Sequence, residues 1–351
     1  MVVDRAADRA VDWSLRAYLE IWAGEDPQRR AVARAVEGIA EAGRALGALV
    51  AQGPHDKGHA DVVGANLGGD AQKALDVKAH ELVIHALKGG AIAAVGSEEA
   101  EEVELLNPNG LVAVATDPLD GSSNIDTNVS IGTIFSVLPM VEDGNPFLQP
   151  GSKQLAAGYV IYGPHTDIVF SVGEGVEVFT LDRASGTFFL RTDLSDIPEE
   201  TNEFAVNASN YRHWSRGIRR YVDDCLAGAD GPREKDFNMR WVASLVAETT
   251  RILQRGGVFL YPGDQRKGYA NGRLRLVYEA NPIAYLIEQA GGRATTGTTR
   301  VLDLVPTDLH QRTGLIFGAA QEVLRIEHYE ADPDALGAHS PLFAYRGLFR
   351  A

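Results

Sequence analysis

The run LVAVAT at 111–116 ends abruptly on Asp117-Pro118-Leu119-Asp120-Gly121-Ser122-Ser123-Asn124, and this junction constrains the fold more than any other part of the chain. The run has the length and side chains of a buried strand. Pro118 cannot donate to a ladder and Gly121 admits a tight reversal, so the backbone must leave the strand directly after an acid. Asp117 and Asp120 therefore meet at a sharp turn, where the carbonyl of Leu119 can face the same cation, and such a set of hard oxygens suits Mg²⁺. Ser122 and Ser123, with their amides, offer an anion cradle at the start of the next element. Asp-Pro and Asp-Gly are also ordinary chain punctuation, so the turn needs support from elsewhere.

Upstream, Asp26-Pro27 reads as an N-cap and first helical position, and Val32, Val36, Ile39, Leu46 and Val50 recur at helical spacing until Gly53-Pro54. The stretch from Gly58 to Asp70, rich in Gly, Asp and Asn, suggests a mobile loop, followed by a shorter helix from about Asp76 to Leu87. From Ala91 the runs AIAAVG, LVAVATD, IGTIFSVL, LAAGYVIY, DIVFSV and VEVFTL predict a sheet. Beyond about Thr201, FAVN, GVFLY, RLRLVY and GLIFGA alternate with helices near Trp214 to Cys225, from about Met239 to Arg255, and at Pro282 to Ala290. The class is α/β, with an N-terminal lobe over 1–200, a C-terminal α/β lobe over 201–330 and a tail over 331–351, flexible or partner-docking.

The 351 residues are enough for two packed lobes. A balance of 33 Lys and Arg against 48 Asp and Glu, net −15, argues against nucleic acid as a partner. A lone cysteine, Cys225, excludes an intrachain disulfide and a four-cysteine metal site. No apolar run approaches the length of a membrane span, and the opening residues MVVDRAADRAVDWSLRAYLE are charged and amphipathic and carry no continuous apolar stretch, so a soluble, cytoplasmic protein with no membrane partner is expected.

Other acids stand near element ends. Glu98 and Glu99 follow AIAAVG, Asp70 and Asp76 flank the start of a helix, and Glu279 lies at a strand-to-helix junction behind Arg273 and Arg275, which share a face of the expected strand. Each has a plainer reading: a solvated face, a helix-dipole partner, or an edge strand blunted by charge.

Taken in order, DPLDGSSNID, VGSEE, ALDVKAHELV, GGVFLYPGD, GRLRLVYEANPIAYLIEQAGG and VLDLVPTDLHQR resemble the class I fructose-1,6-bisphosphatases over roughly residues 15 to 328. The resemblance implies a layered αβαβα sugar-phosphatase fold with a metal site between two lobes. It implies metal-dependent hydrolysis of fructose 1,6-bisphosphate to fructose 6-phosphate and phosphate. The implied ligands for two or three Mg²⁺, with Mn²⁺ also acceptable, are Glu98, Asp117, the Leu119 carbonyl, Asp120 and Glu279. Asp76 and Glu99 match acids that activate water, and Asp70 and Asn66 match a loop that closes over the metals. Substrate contacts fall on Asp120, Gly121, Ser122, Ser123, Asn207, Tyr261, Arg273 and Arg240. The last reaches a neighbouring subunit's site in this family, which implies a homodimer or homotetramer.

Two departures from the family pattern are informative. Arg273 stands where many members have Lys, and Trp241 where many have Tyr, which costs a hydroxyl donor. The nucleotide-binding Thr-Gly-Glu-Leu-Thr of AMP-inhibited members is replaced by Ala23-Gly24-Glu25-Asp26-Pro27, and other AMP positions by Leu111-Val112 and Pro139. The expectation is an AMP-insensitive enzyme like the bacterial members of the Calvin cycle, some of which also cleave sedoheptulose 1,7-bisphosphate. An inositol-monophosphatase-like enzyme is disfavoured by Tyr278-Glu279, and a non-catalytic sugar-phosphate sensor by the intact carboxylates.

Overall fold

A computed structural model describes residues 13–53, 62–65, 71–194 and 196–333, with the backbone alone for 62–65 and 71–73. Two helices open the described chain, α1 (Leu15–Ala23) and α2 (Pro27–Gln52). Ser14 caps the first, and Asp26 caps the second by accepting the Arg29 N–H at 2.9 Å, with Pro27 in the first turn. A Cβ at Gly43 or Gly47 would sit 3.0 Å from Val160 or Thr166, so these glycines let α2 lie directly on the sheet. Within the stretch expected to be a mobile loop lies β1 (Val62–Ala65), which pairs antiparallel with β2 (Ala71–Lys73) just beyond it. Then α3 (Ala74–Leu87) begins two residues before the expected start at Asp76.

The sheet forecast from alternating apolar runs is eight-stranded, built from β3 (Ile92–Ser97), β4 (Glu104–Leu105), β5 (Val112–Asp120), β6 (Ile131–Pro139), β7 (Ala156–Tyr162), β8 (Thr166–Ser171), β9 (Glu177–Asp182) and β10 (Thr187–Asp193). Its order is β10-β9-β8-β7-β6-β5-β3-β4, antiparallel except for β3 beside β5. The second part of the chain supplies α4 (Arg216–Leu226), α5 (Leu245–Arg255), α6 (Asn281–Gln289), α7 (Ala320–Ala331) and the strands β11 (Glu203–Val206), β12 (Asn238–Met239), β13 (Val258–Tyr261), β14 (Leu274–Arg275), β15 (Arg293–Thr295), β16 (Arg312–Thr313) and β17 (Leu315–Gly318). Five of these strands form a sheet in the order β12-β11-β13-β17-β15, while β14 and β16 make a separate short ribbon.

Side-chain alternation stacks these elements into five layers. Val114, Phe135, Val137, Val160 and Phe170 face α1, α2 and α3, whereas Ile134, Tyr159 and Val169 face α5 and α6 on the other side. The smaller sheet turns Ala205, Phe259 and Phe317 toward the same two helices and Phe204, Leu260 and Ile316 toward α4 and α7. The result is αβαβα. Every residue of β5 is buried, which explains why its first part, Val112 to Ala115, reads in sequence as an unbroken apolar run.

Two elements differ from expectation. The helix expected from about Met239 starts only at Leu245, because Ala243 takes a left-handed φ of 62° and Ser244 caps the helix through the Ala247 N–H. RLRLVY is a strand only at Leu274–Arg275; Leu276–Ala280 winds into a π-helical turn that feeds α6. Arg273 and Arg275 therefore do not share a strand face: Arg273 is exposed in a cleft, and Arg275 is buried. The tail lies outside the described residues from 334 onward.

Candidate active site

β5 and β6 pair in register up to Asp117 and resume at Asp120, because Pro118 breaks the ladder between them. The turn is fastened from behind. The buried Thr133 hydroxyl donates to the Pro118 carbonyl at 2.8 Å and lies 2.7 Å from the Tyr162 hydroxyl. Asp117 Oδ1 accepts the Leu119 N–H at 3.0 Å, and Asp120 Oδ2 accepts the Val246 N–H, from the first turn of α5, at 3.4 Å. Gly121, at φ 77°, then turns the chain into the short helix Ser122–Thr127 carrying Ser122 and Ser123.

The third acid arrives from the π-helical turn. Glu279 Oε2 accepts the Arg275 N–H at 2.5 Å, and Asp117, Asp120 and Glu279, all buried, each place a carboxylate oxygen within 4.8 Å of the other two. Burial pushes Asp117 well above the usual carboxylate range, and the charges of Glu98, Asp120, Glu279 and Glu99 push it further. Glu279 is raised by burial and then by Glu98 and Asp120. Asp120 rises to about 6 through burial, partly offset by the Val246 N–H. Glu98 follows β3, with its N–H on the Thr116 carbonyl at 3.0 Å and its carboxylate 3.4 Å from the guanidinium of buried Arg275.

Three of the predicted ligand side chains, Glu98, Asp120 and Glu279, with Glu99, are thus brought close enough for their charges to act on the fourth, Asp117. So dense a group of anionic oxygens, with Arg275 as its adjacent cation, fits a hard divalent cation and suits softer metals poorly. Asp76 is buried in the first turn of α3, which packs on β3 and β5, and stands outside the three-carboxylate group. Asp70 and Asn66 lie outside the described residues.

Beside the acids runs a cleft lined by Asn207, Asn210, Tyr261, Asp264, Arg266, Tyr269 and Arg273. Arg273 donates to the Tyr269 hydroxyl at 3.0 Å, and the guanidinium groups of Arg266 and Arg273 lie 4.3 and 4.9 Å from the Tyr269 ring centre. Asp264 holds Arg266 through its Nε at 3.0 Å. The Tyr261 hydroxyl, in the cleft lining, is raised chiefly by burial, with Arg273 opposing and Glu279 adding. Trp241 stacks on Phe259 at 5.8 Å and 9° and leans toward Tyr261 at 6.3 Å.

The structure brings Asn207, Tyr261 and Arg273 together, but Arg240 lines no part of this cleft; its half-exposed side chain pairs with Glu203 at 3.5 Å. Sequence reasoning overlooked Asp264, Arg266 and Tyr269. Their signal was the Gly- and Asn-rich segment GDQRKGYANGR, the kind of loop that carries binding groups on a rigid scaffold. Thr133, Tyr162 and Val246 carried no such mark, because in sequence they are ordinary core residues.

A layered α/β molecule that carries both clustered buried carboxylates and an arginine-lined cleft defines a phosphatase of the sugar-phosphate class. Residues 56–193 match the N-terminal domain of fructose-1-6-bisphosphatase and residues 197–331 its C-terminal domain. The fructose-1,6-bisphosphatase class 1 of Azorhizobium caulinodans is 57% identical over 90% of this chain and 98% of its own, and that of Rhizobium meliloti 54% identical over 96% and 99%. The crystal structure of Leishmania major fructose-1,6-bisphosphatase in holo form superposes with a TM-score of 0.84 at 31% identity, over 92% of this chain and 99% of that one. The chain belongs to the class 1 fructose-1,6-bisphosphatase family.

Proposed function

We propose that the protein hydrolyses the 1-phosphate ester of fructose 1,6-bisphosphate, releasing fructose 6-phosphate and phosphate, with Mg²⁺ at the carboxylate group. The observation that carries this reading is the meeting of Asp117, Asp120 and Glu279 beside a cleft containing Asn207, Tyr261 and Arg273. Glu98, Asp117, Asp120, Glu279 and the Leu119 carbonyl would hold the cations. When bound, these would supply Lewis-acid withdrawal of charge from the reacting phosphate. Gly121, Ser122 and Ser123 receive the scissile phosphate at the head of their short helix, while Glu99 and Asp76 take the proton of the attacking water, with Asp70 assisting from the preceding segment. Arg273, Tyr261 and Asn207 hold the remote phosphate and orient the sugar. Arg240 completes the site of a neighbouring subunit, so the working form is a homodimer or homotetramer.

Residues 1–200 form the catalytic lobe and 201–330 the sugar-binding lobe, a division supported by the family matches that part between 193 and 197. No helix among the described residues is long and apolar enough to cross a membrane, which accords with a cytoplasmic enzyme. Trp241, which leans on Tyr261 of the cleft, stands where a hydroxyl donor is expected, and the relaxed selectivity for the remote part of the substrate extends the substrates to sedoheptulose 1,7-bisphosphate.

The test is phosphate release from each bisphosphate with Mg²⁺ or EDTA, beside a Glu98→Gln variant. Release that needs the metal and collapses in the variant supports the proposal. A folded, metal-binding protein that releases phosphate from neither sugar would overturn it.

A further inference from the structure

Between β12 and α5 runs a five-residue strap, Arg240 to Ser244, whose backbone is fastened along almost its whole length. The Arg240 N–H donates to the Phe204 carbonyl at 2.8 Å, the Val242 N–H to Glu248 Oε1 at 2.6 Å, and Asn124 Nδ2 to the Ala243 carbonyl at 2.8 Å. Ser244 caps α5, and two residues further on the Val246 N–H reaches Asp120. One end of the strap thus belongs to the smaller sheet and the other to the turn bearing the carboxylates. Trp241, in between, stacks on Phe259 and leans on Tyr261 of the cleft.

The fully buried carboxylate at the centre of this arrangement is Glu248. An acid in the first turn of a helix ordinarily needs no more explanation than the helix dipole. Glu248, however, turns both oxygens inward. Oε1 takes the strap amide, and Oε2 accepts Nη2 and Nε of Arg251 at 3.0 and 3.2 Å. Arg251 Nη1 then reaches Glu203 Oε2 at 2.8 Å, and Glu203 Oε1 lies 3.5 Å from Arg240 Nε. Charges alternate along this chain from the middle of the strap back to its first residue, and the buried members satisfy one another. Ala243 is held at a left-handed φ that alanine disfavours, so the strap keeps its shape because these contacts impose it.

We infer that Glu248 is a positioning residue for the sugar-phosphate cleft, acting through the strap to hold Trp241 against Tyr261 and Arg240 at the sheet edge. The inference rests on the proposed function in that it assigns the cleft to the remote phosphate. Removing the carboxylate frees the Val242 amide and strips Arg251 of one of its two carboxylate partners, so the loss falls on substrate binding more than on bond cleavage.

The experiment compares the full-length wild type with Glu248→Gln, Glu248→Ala and Arg251→Lys by steady-state kinetics on fructose 1,6-bisphosphate. Product inhibition by fructose 6-phosphate and the melting temperature are measured alongside. Glu248→Gln keeps an acceptor for Val242 and loses the charge pair; it should raise KM and the product inhibition constant together by about tenfold, with kcat within about threefold. Arg251→Lys, which keeps the charge but not the fork, should give a smaller rise in both. A lowered melting temperature with KM and product inhibition unchanged would reduce Glu248 to a structural role and overturn the inference, as would a fall in kcat alone. Should the alanine variant not fold, the glutamine and lysine variants decide the matter. A wild type without activity on this sugar would instead overturn the functional proposal, so the two failures are distinct.

Discussion

Replacing Asp120 by Asn should stabilise the metal-free protein while abolishing its use of metal. Burial raises the Asp120 carboxyl to about 6 from its usual 3.8, with the Val246 N–H partly offsetting the rise. Its folded form therefore holds a proton more tightly than its unfolded form. The stability this confers is complete below pH 3.8 and is lost as the pH rises through 6. The difference amounts to about 3 kcal/mol at pH 8. Asparagine is near-isosteric, carries no charge, and offers its carbonyl oxygen to the Val246 N–H; it also relieves Asp117 and Glu279, both raised in part by Asp120. In EDTA at pH 8 the variant should gain up to about 3 kcal/mol over the wild type by urea denaturation, or roughly 6 °C in melting temperature for a chain of this size. At pH 4 the gain should vanish, because the wild-type carboxyl is then protonated in the fold. Added Mg²⁺ should stabilise the wild type and leave the variant nearly unchanged. A variant no more stable than wild type at pH 8, or one whose advantage persists at pH 4, would refute the reasoning.

Three further outcomes follow from named contacts. Arg273→Ala, which removes a guanidinium from the cleft, should raise KM for fructose 1,6-bisphosphate by roughly ten- to a hundredfold with a much smaller change in kcat, read from initial rates. Ala243→Gly relieves a left-handed alanine and should raise the unfolding free energy by about 1 kcal/mol in urea; a loss would show that the strap is unstrained. AMP should not inhibit, because Asp26 already occupies the Arg29 N–H at the start of α2, Pro27 offers no N–H, and Arg30 is engaged by Glu25 at 2.5 Å and by the Gly24 carbonyl at 2.8 Å; inhibition at micromolar AMP would contradict this.

Much of the fold was legible because burial leaves a period in the sequence. β5, β6, β7 and β8 lie where their apolar runs predicted, and α2 follows the spacing from Val32 to Val50. The misreadings share a cause. Met239 to Arg255 carries a helical pattern throughout, yet a hydrogen bond from Asn124, far away in sequence, and the capping of α5 by Ser244 accompany a strap in its first part. Alternation in RLRLVY likewise promised a strand, and the need to swing Glu279 onto Asp117 and Asp120 is met by a π-helical turn instead. Tertiary contacts override local preference at these two places, and both border the site, where conflict between local and global demands is expected. The acids themselves were legible as turn chemistry, but their supports were not: Thr133, Tyr162 and Glu248 differ from core or surface residues only through partners that folding brings to them.

Why the acids gather where they do follows from the topology. Among the described strands of the large sheet, β3 and β5 are the one parallel pair, with Ser97 opposite Thr116, so their carboxyl ends leave the sheet side by side. Glu98 and Glu99 follow one end directly and Asp117 to Asp120 close the other, which is where open α/β sheets place their ligands. An antiparallel neighbour would have sent these two ends to opposite edges. The middle helical layer then supplies what the sheet lacks: α5 gives an amide to Asp120, and the turn before α6 gives Glu279. Because the carboxylates come from separate layers, their mutual repulsion is borne by the packing between layers and not by any one segment. Loosening that packing at the strap should therefore weaken sugar binding before it unfolds the chain, which is the order of events that the Glu248 variants measure.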